Sequence, residues 1–299
     1  MITINTNKIL IPIDFSETAI RAMKHGAEIA KVFHSEIILL HVQKKNELLD
    51  IILPALKIDD PWVITAFIED KLEKLAEDLR KSTEVKVTSL VSTGNVTNEI
   101  NTIAEELKVG LIIMGTQGSD SHNQFFLGSN SYKVLTQSDI PVMTIRAKAG
   151  DDGIHNILLP IDSSEHSRQK VNSAIRIAKK FGAKLHVLGI LGTDEENYEY
   201  KLNVILPQIK KLADEEHVNC DTEICHTDKR VEKTLDFAYR MKADLIIIMS
   251  DEKDGLASFI LGTYAHQLIN SSRIPVMSIP PEVHPENLEE AVIGGMWER

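Results

Sequence analysis

With 299 residues, 43% of them hydrophobic, the chain is long enough for two ordinary domains with full cores. A formal net charge of −11 and only 5% aromatic residues argue against a binder of the phosphate backbone or a stacking platform for single strands. No apolar run reaches the roughly 18 residues needed to span a bilayer, the opening MITINTNK lacks the pattern of a secretory leader, and two cysteines make no disulfide framework, so the expectation is a soluble, cytoplasmic protein without membrane or nucleic-acid partners.

In chain order, ILIPI reads as a short buried strand. The stretch from Ser16 to Phe33 carries Ala19, Met23, Ala27 and Ala30 at helical spacing. IILLHV is a second buried strand, followed by an amphipathic, solvated helix near Ile64–Leu79 and a strand near Val85–Val91. A helix over Asn95–Leu107, the strand GLIIM, a loop, a helix near Asn130–Gln137 and the strand PVMTI complete the first half. Near-continuous Val/Ile/Leu strands alternating with helices predict an α/β fold with a parallel sheet covered on both faces, and right-handed crossovers make it doubly wound.

The pattern then repeats. NKILIPIDFSETA from Asn7 aligns with HNILLPIDSSEHS from His155, pairing Asp14 with Asp162, Ala30 with Ala178 and Phe33 with Phe181. LGSNSYKVLTQSDIPVMTI from Leu127 aligns with LGTYAHQLINSSRIPVMSI from Leu261 at a smaller offset, because the first copy carries extra residues around Lys44 to Trp62. AKAGDDG, Ala147–Gly153, has linker composition. The expected organisation is a domain over 1–147, a second over 153–281 and a tail over 282–299. Ile140–Ile145 and Ile274–Ile279 are near-identical apolar strands at a sheet edge, so something must cover them. They are expected to meet as an intramolecular pseudo-dimer, with a homodimer as the other arrangement open to such edges.

In an open parallel sheet, ligands bind beyond the C-terminal ends of the strands at the switch point. Three segments of the first copy converge there: Pro12-Ile13-Asp14, the strand end His41-Val42, and Met114-Gly115-Thr116-Gln117-Gly118 leading to Gly128-Ser129-Asn130-Ser131. Gly115 and Gly118 let backbone approach a ligand. Gly128-Ser129 opens a helix whose free N–H groups attract phosphate, and the Ser129 and Ser131 hydroxyls add hydrogen bonds. Asp14 suits a ribose hydroxyl or an adenine amino group, and it equally reads as the N-terminal cap of the first helix. Loop glycines are common, a Gly-Ser helix start is also a plain cap, and no Gly-Lys-Ser/Thr sequence of a Walker loop occurs.

These residues together resemble the universal stress protein family, tandem two-domain type. The matching features are ILIPIDFSETA, the LLHV strand end, and IIMGTQG and GSNS separated by nine residues, then SDIPVMTI. The resemblance covers nearly the whole chain, once in each half. It implies a five-stranded parallel sheet of order 3-2-1-4-5 in each domain. It also implies ATP, with or without Mg, held at Pro12, Ile13, Asp14, Val42, Met114, Gly115, Gly118, Gly128, Ser129 and Ser131. The loop SDSHNQFFL departs from the family in carrying no Lys or Arg. In the second copy the first glycine's place falls on Met249 or Ser250 and the second's on Glu252 or Lys253, while Asp162 and Gly262-Thr263 remain. That copy reads as a structural or regulatory half.

The expected function is a stress-response sensor or regulator that binds an adenine nucleotide in its first domain. A slow ATPase, an adenylyl-transfer enzyme and a pure interaction scaffold are the alternatives. Cys220, Cys225 and His226 form C-x4-C-H, but strand alternation puts the two thiols on opposite faces, which favours buried cysteines over a metal site. His41 reads as a packed histidine and His122 as a solvent-facing one. Met296-Trp297 suits either an apolar pocket or a disordered tail.

Overall fold

The computed structural model describes residues 7–44, 62–116, 127–146, 153–250 and 262–281. The first half runs β1 (Lys8–Pro12), α1 (Glu17–Phe33), β2 (Glu36–Gln43), α2 (Trp62–Thr83), β3 (Val87–Thr93), α3 (Val96–Glu106), β4 (Leu111–Gly115), α4 (Ser129–Gln137) and β5 (Val142–Ile145). The second runs β6 (Asn156–Ile161), α5 (Val171–Phe181), β7 (Lys184–Leu191), α6 (Glu199–Glu215), β8 (Cys220–His226), α7 (Arg230–Arg240), β9 (Leu245–Met249), α8 (Thr263–Ser271) and β10 (Val276–Ile279). Gly118, His122, Asp251 to Lys253, Leu261 and the tail from residue 282 lie outside the described residues.

All ten strands form one sheet in the order β3-β2-β1-β4-β5-β10-β9-β6-β7-β8. Each half is therefore a five-stranded doubly wound unit of order 3-2-1-4-5, as expected. Alternation sorts the side chains of the first half into two layers. Ile9, Ile11, Ile37 and Leu39 pack under α1 and α2, while Leu10, Ile38 and Leu40 pack under α3 and α4.

The helix starts follow from local chemistry. Ser16 is extended (φ −69°, ψ 161°), and its hydroxyl oxygen accepts from Ala19 N, which makes it the N-cap of α1. The expectation that Asp14 caps this helix is thereby corrected. Asp14 lies two residues earlier, and its Oδ1 accepts from Ser16 N (3.0 Å) and Ser16 Oγ (2.5 Å), so it supports the cap instead. Asn95 caps α3 by accepting from Thr97 N and Asn98 N.

The halves join through their last strands. β5 and β10 pair antiparallel with Val142 opposite Ser278, Met143 opposite Met277 and Thr144 opposite Val276. Met143 and Met277 are equivalent residues of the repeat, so a pseudo-two-fold axis passes between them. Two more equivalent pairs meet across it. Phe33 and Phe181 stand edge to face at 5.8 Å on one side of the sheet. Tyr132 and His266 stand at 5.5 Å and 90° on the other. The expected pseudo-dimer is present, and the core under α1 and α2 runs without a break into the core under α5 and α6.

Met277 is 3% exposed and Met143 fully buried, so the shared sheet should unfold as one unit. Met277→Ala should remove about 2–5 kcal/mol and shift a single denaturation transition, followed by circular dichroism and calorimetry, to lower denaturant. Two separated transitions, with only the second half weakened, would show that the halves are independent.

Candidate functional site

The switch point of the first half lies between β1 and β4, where the crossovers change face. Met114 is buried in the layer under α3 and α4, Val42 packs against the same layer, and alternation puts Pro12 on the face of Leu10. These three residues form an apolar floor. Asp14 is exposed at its rim and Ile13 is buried on the opposite face, where its carbonyl oxygen lies 2.7 Å from His41 Nδ1. His41 is thus a packed histidine, its ring tilted 33° to that of Phe15 at 5.2 Å between centroids.

The segment Gly128–Ser131 closes the other side. Gly128 is the N-cap of α4 and has no side chain to cap it, so the first-turn N–H groups lack the side-chain partner that Ser16 and Asn95 give their helices. Gly128 N donates to Thr116 O at 2.7 Å, and a Cβ on Gly128 would stand 3.2 Å from that oxygen. Ser129 is exposed at the helix start. Ser131 is buried, and its hydroxyl donates to Gly115 O at 2.8 Å. Its proton ties the helix to the end of β4, which leaves Ser129 as the exposed hydroxyl of the pair.

Gly115 has a reason the spacing did not reveal. A Cβ there would lie 2.6 Å from Thr18 Oγ1 and 2.9 Å from the Thr18 backbone carbon. The missing side chain makes room for the first turn of α1, close beside the floor. In the second half the register of β9 puts Met249 at this position, since Leu245 pairs with Ile157 as Leu111 pairs with Ile9. Its side chain leaves no such room. Glu165 is the equivalent of Glu17, yet the chain makes only a 3-10 turn at His166–Arg168 there, and α5 begins at Val171.

A cavity of about 200 Å³ occupies the equivalent crevice of the second half. Its walls include Pro160, Ile161, Asp162, Ile190, Ile248 and Met249, the equivalents of Pro12, Ile13, Asp14, Val42, Met114 and Gly115. Lys170, 4% exposed, enters where the first half has Ala22, and its ammonium donates to Ser167 O (2.9 Å) and Ser167 Oγ (3.0 Å). Tyr264 stands where the first half has Asn130. Its hydroxyl lies 2.9 Å from Thr234 Oγ1, and burial pushes the phenol pKa up. At the wall, the backbone N–H of Gly192 and then the Arg230 guanidinium (2.6 Å) hold the Glu195 carboxyl below its ordinary value. The second crevice keeps its strands but has a different polar lining.

A profile of the universal stress protein family matches residues 5–146 and again 153–280. The chain belongs to the universal stress protein family. "Universal stress protein MJ0577" of Methanocaldococcus jannaschii is 31% identical over 156 residues, 47% of this chain and 95% of that protein. "Universal stress protein YxiE" of Bacillus subtilis is 29% identical over 148 residues, 47% of this chain and 99% of that protein. Each single-domain relative thus matches about half of the chain, in keeping with two tandem universal stress protein domains. A universal stress protein structure from Archaeoglobus fulgidus covers 92% of this chain and 98% of its own at a TM-score of 0.75 and 23% identity, a likeness of fold. Among the described residues, no helix is long and apolar enough to cross a membrane.

The sequence reading missed Phe15 and Lys71. Phe15 has φ +62°, a left-handed conformation uncommon for a bulky residue, and the Lys71 ammonium lies 4.0 Å above its ring. Both sit on the α1/α2 side of the sheet, behind the floor. Cys220 and Cys225 face opposite layers, as alternation requires.

Two outcomes follow. Gly115→Ala should cost about 1–3 kcal/mol by overpacking, measured by denaturant titration, and Thr18→Ala should restore only part of it because Thr18 backbone also blocks the space. Burial pushes the Cys220 thiol up to about 11, so native protein should resist alkylation at Cys220 by iodoacetamide at about pH 8, where the thiolate that reacts is scarce. Rapid modification of Cys220 in mass spectra would contradict the buried strand.

Proposed function

We propose that the first domain binds ATP or another adenine nucleotide and that the protein acts as a nucleotide-dependent sensor or regulator in the stress response. The observation that carries this reading is the start of α4: a glycine N-cap without a side-chain partner, aimed at the switch point beside the floor of Pro12, Val42 and Met114. Backbone N–H groups at such a start favour phosphate through both hydrogen bonds and the helix dipole.

The assignment divides the ligand by chemistry. Asp14 takes the nucleoside end, since a carboxylate accepts from hydroxyl or amino groups and repels phosphate. Pro12, Val42 and Met114 shape the apolar side of the cleft, and Ile13 contributes the backbone that carries Asp14 to its rim. Gly115, Gly118, Gly128 and Ser129 take the phosphates, Ser131 holds the helix start to β4, and Mg accompanies the triphosphate as its counter-ion. The second domain, with Met249 for Gly115 and a different polar lining, does not share this ligand.

Calorimetry on the full chain should find one ATP site. Asp14→Ala should weaken ATP and adenosine alike by about 1.5–3 kcal/mol, the range for a lost charged hydrogen bond, with circular dichroism checking that the Ser16 cap survives. Gly118→Val should weaken ATP more than adenosine, since it blocks backbone approach near the phosphates. Equal loss of both ligands in that variant, or no heat from ATP in the wild-type chain, would sink the assignment.

A further inference from the structure

The second half reaches into the phosphate side of the first. Asn270, near the end of α8, accepts through Oδ1 a hydrogen bond from the backbone N–H of Leu127 at 2.6 Å. Leu127 directly precedes Gly128, the N-cap of α4. Asn270 Nδ2 lies 3.1 Å from His266 Nε2, one turn earlier on α8. The His266 ring in turn stands edge-on to Tyr132, in the first turn of α4. One face of α8 thereby grips the segment 127–132 of the other half.

Among the described residues this tie is made in one direction. The first-half residue equivalent to Asn270 is Thr136, whose hydroxyl donates back to Tyr132 O (3.1 Å) and Lys133 O (3.2 Å) of its own helix. Thr136 has a shorter side chain than Asn270, and Leu261, the equivalent of Leu127, lies outside the described residues. Among the described residues, the hold on a helix start runs from the second half to the first, the half with complete glycine spacing.

We infer that Asn270 is a positioning residue for nucleotide binding in the other domain. The inference rests on the nucleotide reading of the first-domain cleft. N–H donors stabilise an anion when they are aimed together before it arrives, and ordering them on binding subtracts from affinity. By fixing the amide of Leu127, Asn270 orients Gly128 and the first turn of α4 in advance. By linkage, a ligand that orders 127–131 tightens the contact between α4 and α8 by the same factor. The second domain thus senses occupancy of the first without sharing its ligand.

The test compares wild-type full-length protein with Asn270→Thr, which installs the first-half residue, and Asn270→Asp, which keeps the acceptor for Leu127. Asn270→Ser replaces the threonine variant if that chain fails to fold. Calorimetry should show Asn270→Thr binding ATP about three- to tenfold more weakly and adenosine within about twofold of wild type, the size of one net hydrogen bond acting on the phosphate side. Without ligand, hydrogen exchange of amides 127–131 should be faster in Asn270→Thr and stay slow in Asn270→Asp. Wild-type ATP affinity in Asn270→Thr, equal weakening of ATP and adenosine, or unchanged exchange would overturn the inference. No ATP binding by the wild-type chain would overturn the nucleotide reading, and the exchange arm would then decide by itself whether Asn270 orders this segment.

Discussion

An apolar four-residue strand at the end of a parallel sheet cannot be left open to water, because its unpaired N–H and C=O groups would recruit any passing edge. This chain carries two such strands, β5 and β10, and closes each with the other around the buried pair Met143 and Met277. The antiparallel register then dictates much else. It sets α4 beside α8, brings Phe33 onto Phe181, and merges two five-stranded units into one ten-stranded sheet. Everything that one half can do to the other passes through this seam.

Within that frame the copies have diverged at the point where ligands enter doubly wound folds. The strands superpose by register, so the difference lies in what the strand ends allow. Gly115 lets α1 begin close to β4, and Met249 denies the same approach to α5. A buried lysine and a half-buried tyrosine then line the second crevice. The strands persist because the sheet needs them, while the loops and helix starts changed because their packing demands fewer partners.

The first cleft has the opposite character. Its floor is apolar, its rim carries Asp14, and its far wall is a helix start with no side chain of its own to satisfy it. The contrast with Ser16 and Asn95, which cap their helices with side-chain oxygens, is internal to the chain. Membership of the universal stress protein family gives this cleft its context, and the asymmetry between halves gives it a direction. The open helix start at Gly128 is held by Asn270 of the neighbouring half, and Gly262 of α8 is an N-cap of the same kind.

Much of this was legible in residues read in order. Apolar runs and 3.6-residue spacing located strands and helices, and the repeat predicted that Ile140–Ile145 and Ile274–Ile279 would meet, because periodicity and burial are local properties that each segment declares for itself. The glycine spacing and Asp14 pointed to the C-terminal ends of β4 and β1, which flank the switch point of the first half. Other features depended on packing between distant segments. That Gly115 clears space for Thr18, that the Ser131 proton belongs to the Gly115 carbonyl, and that Ser16 rather than Asp14 caps α1 are decided by angles and neighbours that spacing does not encode. The reach of Asn270 to Leu127, 143 residues away, exists only because two halves dock along one seam. A contact of that kind is a property of the docked pair, and no segment carries its signature alone.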